Sequence, residues 1–172
     1  MRVQLPHNAA KRPYNHGGNA IQKMGIILTE KEFNIEQTIG FSLHHASYLF
    51  KTALKTAFQQ GGYSATVEEF VMLNLIPDAG AEQSSLRERS LKDKTNVTRL
   101  LDRMAAKGWI NRTQQQENRR QQVVSLTAEG KQMQGVLVEL ARINMGKATA
   151  GLSREQIEVT CQTLQQLSNN IR

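Results

Sequence analysis

The chain has 172 residues, a formal net charge of +7 and a pI near 9.8. This length accommodates one compact domain with extended ends and is long enough to bury a core. No apolar run approaches the roughly 20 residues that a membrane helix needs, and no signal peptide is recognisable. The single cysteine, Cys161, excludes a disulfide framework and a cysteine-rich zinc site. We therefore predict a cytoplasmic protein without metal or cofactor.

The first predicted segment, residues 1–34, is an irregular basic arm. Residues 1–29 contain four cations and no acid, and prolines and glycines interrupt any regular element. A disordered tail is the favoured interpretation. The alternatives are an arm that reaches nucleic acid and an arm that folds over a neighbouring subunit.

A long amphipathic helix is predicted over 35–58, because apolar residues recur there in alternating steps of four and three. These residues are Ile39, Leu43, Ala46, Phe50, Ala53 and Ala57. Gly61 and Gly62 end the helix. It carries the adjacent pair His44 and His45, and adjacent helical positions diverge by about 100°. The pair is therefore not expected to share a metal ion.

Three shorter helices are predicted next. Thr66 and Glu69 have the spacing of a capping box and open the first of them, which Pro77 ends. A polar helix is predicted over about 82–90, and a longer helix over about 93–107 that a glycine closes.

A change to strand periodicity predicts a β-hairpin directly after these helices. Its strands are expected at 109–113 and 122–126, and its exposed tip is the polar segment 114–121.

Two long helices complete the chain. Thr127 is expected to cap the first, which ends near Lys147, and Ser153 and Gln156 form the capping box of the second. Cys161 falls on the apolar stripe of the last helix. A buried structural cysteine is favoured over a redox sensor, because the chain offers no second cysteine and no adjacent cation.

Three short helices followed by a hairpin predict a winged helix-turn-helix, in a mainly α fold with a small β-hairpin wing (α+β). The expected organisation is a basic arm over 1–34 and a DNA-binding winged helix-turn-helix over 63–127. The long helices at 35–60 and 128–172 carry apolar stripes that need a surface to cover them, either each other or a second copy of the chain.

Positive charge is concentrated around this core. Residues 87–120 contain ten Lys or Arg against four Asp or Glu, a local net charge of +6. A basic surface of this kind favours nucleic acid as the partner, with an anionic membrane surface as a weaker alternative.

The helix over 93–107 has one apolar and one polar side. The apolar side carries Val97, Leu100, Leu101 and Met104. The polar side and its flanks carry Lys94, Thr95, Asn96, Thr98, Arg99, Asp102, Arg103 and Lys107. Taken alone, this polar side is interpreted as an ordinary solvated face. The arginines of the hairpin, Arg112, Arg119 and Arg120, reverse that interpretation, because a helix in the major groove beside an arginine-bearing wing makes a coherent contact with DNA.

Two segments resemble the MarR family of transcriptional regulators. DKTNVTRLLDRMAAKGWI, residues 93–110, is similar to that family's recognition helix and following strand. NRRQQVVSLTAEG, residues 118–130, is similar to its wing and the start of its next helix. The resemblance spans roughly residues 35–170 and leaves the basic arm unexplained. It implies an obligate homodimer, with 35–60 and 128–172 as the dimerisation helices, in which each winged helix reads half of an inverted repeat in double-stranded DNA.

Carried over by position, the resemblance implies a set of DNA-binding residues. They are Lys94, Thr95, Asn96, Thr98 and Arg99, with Arg120 as the wing arginine that enters a minor groove. Arg103 on the flank of the helix and Arg119 in the hairpin are added to the predicted DNA contacts from their positions in the sequence. The family usually has an acid two residues before that arginine, where this chain has Asn118. An amide only hydrogen-bonds, so a looser wing is predicted. The family also often has a small residue where this chain has Arg87.

The resemblance also implies a pocket for a small aromatic or anionic effector, between the dimer helices and the winged core. One of His44 and His45 is a candidate to line it together with Tyr48, although an ordinary core or surface histidine is the favoured interpretation.

These features predict a sequence-specific, homodimeric DNA-binding regulator that acts as a ligand-responsive repressor. The alternative is a winged-helix module for protein or RNA interaction without small-molecule control. An enzyme is not predicted, because the sequence contains no Gly-rich phosphate loop, metal-ligand spacing or nucleophile elbow.

Overall fold

A computed structural model describes residues 33–114 and 122–171 of the chain. The described residues fall into two compact units that divide within the first helix, between His44 and His45. The basic arm, apart from its last two residues, lies outside the described part.

Six α-helices and three β-strands occur in the described part of the chain. The helices are α1 (Ile39–Gln60), α2 (Val67–Leu75), α3 (Gln83–Ser90), α4 (Lys94–Ala106), α5 (Ala128–Ala148) and α6 (Arg154–Asn170). The strands are β1 (Ala81–Glu82), β2 (Ile110–Gln114) and β3 (Gln122–Leu126). The order α2, β1, α3, α4, β2, β3 is a winged helix-turn-helix, so the predicted fold is confirmed.

The first helix begins four residues later than predicted. Ile35–Gln37 forms a 3₁₀ turn, which the side chain of Asn34 caps by accepting a hydrogen bond from the backbone of Glu36 at 3.0 Å. The hydroxyl of Thr38 then accepts from the backbone N–H of Phe41 at 3.1 Å. These short polar side chains satisfy N–H groups that an α-helix would otherwise leave without partners, so the regular helix starts at Ile39.

Local caps confirm the predicted starts of three helices. In the capping box of α2, Glu69 accepts from the backbone of Thr66 at 2.9 Å, and the Thr66 hydroxyl accepts from the backbone of Glu69 at 3.1 Å. Thr127 caps α5, and the box of Ser153 and Gln156 caps α6. Each cap joins residues three apart, which is why the sequence alone predicts it.

The hairpin strands β2 and β3 pair antiparallel, with Ile110 opposite Leu126. A third strand was not predicted: β1 pairs with the other edge of β3, and Ala81 lies opposite Val124. Gly80 precedes β1 with a φ of +79°, and a Cβ there would lie 3.1 Å from the backbone oxygen of Val124. The glycine allows this close approach, whereas a two-residue strand has no periodicity to reveal it.

The core lies in the unit 45–171, where α2–α5 and β3 meet, and α1 contributes one buried ring. The largest fully buried side chains of apolar type are Phe58, Met72, Leu73, Leu86, Val97, Leu100, Leu101, Met104, Val124 and Leu137. Phe58 packs edge-on against Phe70, with ring centroids 5.6 Å apart. All four residues of the predicted apolar side of α4 are in this core.

The expectation of a buried Cys161 is wrong for the described chain, because this cysteine is exposed. No described residue of α6 is buried. The apolar periodicity of α6 is real, but within this chain its stripe is left uncovered. The same holds for parts of α1 and α5.

Gly130 provides a test of the packing between α5 and the hairpin. It is buried in the first turn of α5, and a Cβ at this position would collide with the backbone oxygen of Trp109. We expect Gly130→Ala to destabilise the protein by about 1–3 kcal/mol, because overpacking outweighs the better helix propensity of alanine. The measurement is urea unfolding followed by circular dichroism.

Gly135 is the matched control on the same helix, since a Cβ there meets nothing within 4 Å. Gly135→Ala should stabilise by about 0.5–1 kcal/mol. Equal midpoints for the two variants would contradict the close contact with Trp109.

Candidate nucleic-acid interface

The turn between α3 and α4 sets the direction of the predicted recognition helix. Leu91 ends α3 in the left-handed conformation, with φ 53°, and its side chain is exposed. Asp93 then caps α4 by accepting a hydrogen bond from the backbone of Asn96 at 2.8 Å. That hydrogen bond lowers the pKa of the Asp93 carboxyl, so the cap stays charged at neutral pH beside the positive end of the helix dipole.

The outer side of α4 offers groups with the chemistry of base-edge contacts. Lys94, Thr95, Asn96 and Arg99 are exposed. The amide of Asn96 donates to Asp93, whereas the charged ends of Lys94 and Arg99 have no acidic partner among the described residues. Arg99 is therefore free to contact a ligand.

Thr98 is less accessible than the sequence indicates. It is half-buried, and its hydroxyl donates to the backbone oxygen of Lys94 at 2.9 Å. The Thr98 hydroxyl oxygen in turn accepts a hydrogen bond from the Nε2 of Gln83 on α3 at 3.2 Å. Thr98 thus joins the two helices of the helix-turn-helix.

Arg112 of β2 ties the hairpin to α4. Its Nη1 donates to Asp102 at 2.8 Å and its Nη2 donates to the backbone oxygen of Thr98 at 3.2 Å. The Arg112 side chain is only 20% exposed, so it acts mainly within the protein. It also neutralises Asp102, the acid on the outer side of α4.

A cleft of about 590 Å³ opens between α3, α4 and the hairpin. Its charged lining consists of Arg87, Lys94 and Arg112 against Glu82, whose carboxylate accepts from Ser84 at 3.0 Å. The excess of cations gives this side of the winged helix a positive potential, which favours anionic partners.

Arg103 and Lys107 lie on the flank of α4 that faces α2. Lys107 Nζ contacts both carboxylate oxygens of the buried Glu69, at 2.8 and 2.9 Å. Arg103 Nε lies 3.8 Å from the same carboxylate. These two cations therefore have an acidic partner inside the protein, unlike Arg99.

A second cleft, of about 820 Å³, lies between the C-terminal half of α1, the start of α2 and the end of α4. Tyr48, a candidate residue of the predicted effector pocket, is among its lining residues. Four cations share the lining: Lys51, Lys55, Arg103 and Lys107. His45 is not among the lining residues, and His44 belongs to the other compact unit. Lys51 pairs with Glu68 at 2.8 Å, and this hydrogen bond lowers the pKa of the Glu68 carboxyl.

A third cleft, of about 480 Å³, is almost wholly apolar and lies between α1, α2 and α5. Its lining includes Phe50, Leu54, Val67, Phe70, Val138 and Met145.

Two further features concern the predicted site. The wing residues Asn118, Arg119 and Arg120 lie outside the described residues.

Sequence reasoning treated Glu69 only as a helix cap, and it missed Gln83 and Lys55 because their positions become meaningful only when distant segments pack together.

None of the helices in 33–114 and 122–171 combines the length and the hydropathy that a membrane span requires. In the same ranges, no three side chains of His, Cys, Asp or Glu are grouped so as to hold a metal ion.

Comparison with known proteins identifies a family and solved structures that this winged helix resembles. The MarR family model matches residues 66–121, from the cap of α2 to the wing. No curated protein matches the chain in sequence. Among solved structures, a MarR-family transcriptional regulator from Rhodococcus sp. RHA1 aligns with a TM-score of 0.72 and 20% identity, covering 79% of this chain and 96% of its own.

Two other structures are similar to the same extent. BpsR of Bordetella bronchiseptica, whose DNA binding is regulated by 6-hydroxynicotinic acid, aligns with a TM-score of 0.72 and 17% identity, over 80% of this chain and 97% of its own. MepR of S. aureus in its DNA-binding conformation aligns with a TM-score of 0.69 and 17% identity, over 78% and 99%. The resemblance to the MarR family is thus confirmed: residues 66–121 match the family model, and the described chain has the fold of solved MarR-family transcriptional regulators.

Proposed function

We propose that this protein is a homodimeric regulator of transcription that reads an inverted repeat in double-stranded DNA through α4. The observation that carries the proposal is the outer side of α4, where Arg99 and Lys94 have no acidic partner among the described residues. An α-helix fits the major groove, and arginine is the side chain that most often reads guanine there.

In the proposed complex the contacts divide by chemistry. Thr95, Asn96 and Arg99 meet base edges, because they lie on the outer side of α4. Lys94 and Arg87, at the cleft between α3 and α4, meet phosphates, which fix the register without reading sequence. Arg120, with Arg119 beside it, extends from the wing into a minor groove.

Arg99→Ala is the direct test of this role for α4. Loss of one base-reading arginine should weaken binding to a preferred duplex by about 1–3 kcal/mol at fixed salt. The preferred duplex is first selected from random DNA with the wild-type protein, and affinity is then measured by fluorescence anisotropy.

Lys131→Ala is the control, because Lys131 is an exposed cation in the first turn of α5, apart from the exposed apolar residues of that helix, and pairs with Asp78 at 2.7 Å. It removes the same charge from a surface assigned no DNA contact and should leave affinity unchanged. An equal loss in both variants would indicate that only net charge matters, and would refute the role of α4.

The uncovered apolar residues of the long helices support a homodimer. Exposed residues of this kind in α1, α5 and α6 include Leu49, Phe50, Val138, Ile143, Met145 and Leu164. Large apolar areas left open in one chain are typical of protein interfaces. We therefore assign these helices to the dimer interface, which would also cover Cys161.

Leu164→Asp tests that interface. A carboxylate in an apolar contact should raise the dimer dissociation constant by at least about tenfold, because the charge loses its water without gaining a partner. Analytical ultracentrifugation measures the change. Gln162→Asp places the same charge on the opposite side of α6 and should leave the dimer intact. If both variants remain dimeric at equal concentration, α6 does not form the interface.

We also propose that a small aromatic or anionic ligand binds the cleft that Tyr48 lines. Among the described residues, Lys55 has no acidic partner there, and Tyr48 offers a ring. Arg103 and Lys107 line the same cleft and belong to α4 and its C-terminal cap. An anion there would compete with Glu69 for them and thereby alter DNA affinity, as expected of a ligand-responsive repressor.

Benzoate and benzamide provide a matched pair of probes for this cleft. Benzoate should raise the melting temperature, by an amount corresponding to about 2.7 kcal/mol at a hundred times its dissociation constant, whereas neutral benzamide should not. Lys55→Gln should reduce the benzoate shift. Lys131→Gln should not, since Lys131 pairs with Asp78 away from the cleft. Identical shifts with both probes would exclude recognition by these cations.

A further inference from the structure

Glu69 is a buried carboxylate at the junction of α2 and α4. Its side chain is only 1% exposed. One oxygen accepts from the backbone of Thr66 at 2.9 Å and from Lys107 at 2.8 Å, and the other accepts from Lys107 at 2.9 Å. A carboxylate without water is tolerated only when it is paired and hydrogen-bonded, so this site strongly favours the one placement of α4 that satisfies it.

Lys107 connects four segments through one ammonium group. Besides Glu69, it donates to the backbone oxygen of Ser64 in the α1–α2 loop at 2.7 Å. Its Nζ also lies 4.5 Å from the ring centroid of Trp109, at the start of the hairpin. An ammonium has three donors, and these contacts occupy them within the protein. Little is left for a DNA phosphate.

Glu69 lies beside two of the three cations that follow one another along α4 and its C-terminal cap. Arg99, Arg103 and Lys107 are spaced by four residues, so they form one row in which neighbouring like charges repel. Glu69 lies beside the last two and offsets their charge. Arg99, one turn earlier, is the member of the row without an acidic partner in the described chain.

We propose that Glu69 is a positioning residue for the recognition helix, and that Arg103 and Lys107 hold α4 in place through Glu69 instead of contacting DNA. In this arrangement Glu69 sets the rotation of α4 against α2, so that Thr95 and Arg99 face the groove. The inference rests on the proposed reading of DNA by α4, and it replaces the DNA contact predicted for Arg103.

The charge of Glu69 is removed with little change of shape in Glu69→Gln. The amide oxygen still accepts from Thr66, so the cap is retained, but Arg103 and Lys107 lose their anionic partner. Freed cations then turn to phosphates, which bind any sequence. Affinity for random duplex should rise while affinity for the selected duplex should not. The specificity ratio, which is the affinity for the selected duplex divided by the affinity for random duplex, therefore falls.

The experiment measures both affinities at several salt concentrations by fluorescence anisotropy. For Glu69→Gln, we expect the specificity ratio to fall about tenfold, as for the loss of one base contact. The slope of log K against log salt should steepen by roughly 0.9 for each freed cation. A residue with a purely structural role would lower the folded fraction and reduce both affinities by one factor, leaving the ratio unchanged.

Glu68→Gln is the matched control. Glu68 is the neighbouring acid on α2, and it pairs at 2.8 Å with Lys51 of α1 instead of with α4. Both substitutions raise the net charge by one, so any difference between them reflects position. The positioning role is overturned if the two variants show the same ratio and slope.

Arg103→Gln gives a second test at a half-exposed position, which remains informative if Glu69→Gln fails to fold. Because Arg103 is proposed not to contact DNA, the slope of log K against log salt for Arg103→Gln should match the wild-type slope. For Arg99→Gln, that slope should become shallower by about 0.9. If the slope for Arg103→Gln also becomes shallower by about 0.9, the inference is overturned. If the wild-type protein prefers no duplex, the proposed function itself fails, and the positioning role with it.

Discussion

The burial of one side of α4 is the constraint on which the winged helix depends. Val97, Leu100, Leu101 and Met104 enter the common core, and full burial of a side chain of this size contributes about 1.5–3 kcal/mol. Because these residues recur at helical spacing, their burial fixes which residues point outward. The polar groups on the opposite side of α4 are therefore displayed by packing, and α2, α3 and the hairpin supply the surfaces that hold the helix there.

Polar contacts then fix the orientation of α4, which apolar packing has already positioned. Arg112 joins the hairpin to one flank of α4 through Asp102 and Thr98, and Lys107 joins the other flank to α2 through Glu69. The two differ in strength, since Asp102 is 58% exposed and water screens its ion pair, whereas Glu69 is shielded from solvent. Apolar packing tolerates small rotations, but a buried carboxylate with several donors does not.

The apolar stripe of α6 is not covered by other parts of the described chain. Leu164 and Cys161 lie on an apolar stripe, yet α6 contributes nothing to the core of 45–171. A helix that is amphipathic by sequence and uncovered in one chain indicates that its partner surface comes from elsewhere. The tyrosine-lined cleft beside α1 also includes Lys107, so a change along α1 has a short physical route to α4.

The sequence by itself determined the features that depend on neighbours along the chain. The caps at Thr66, Thr127 and Ser153 span three residues, and the apolar side of α4 follows from helical spacing. Only the tertiary structure decided which polar groups remain available. Ala81 of β1 pairs with Val124, 43 residues along the chain, and Glu69, interpreted from the sequence as a cap, becomes the partner of Lys107, 38 residues away. Such contacts leave no local pattern, because burial and partners are set by packing between distant segments.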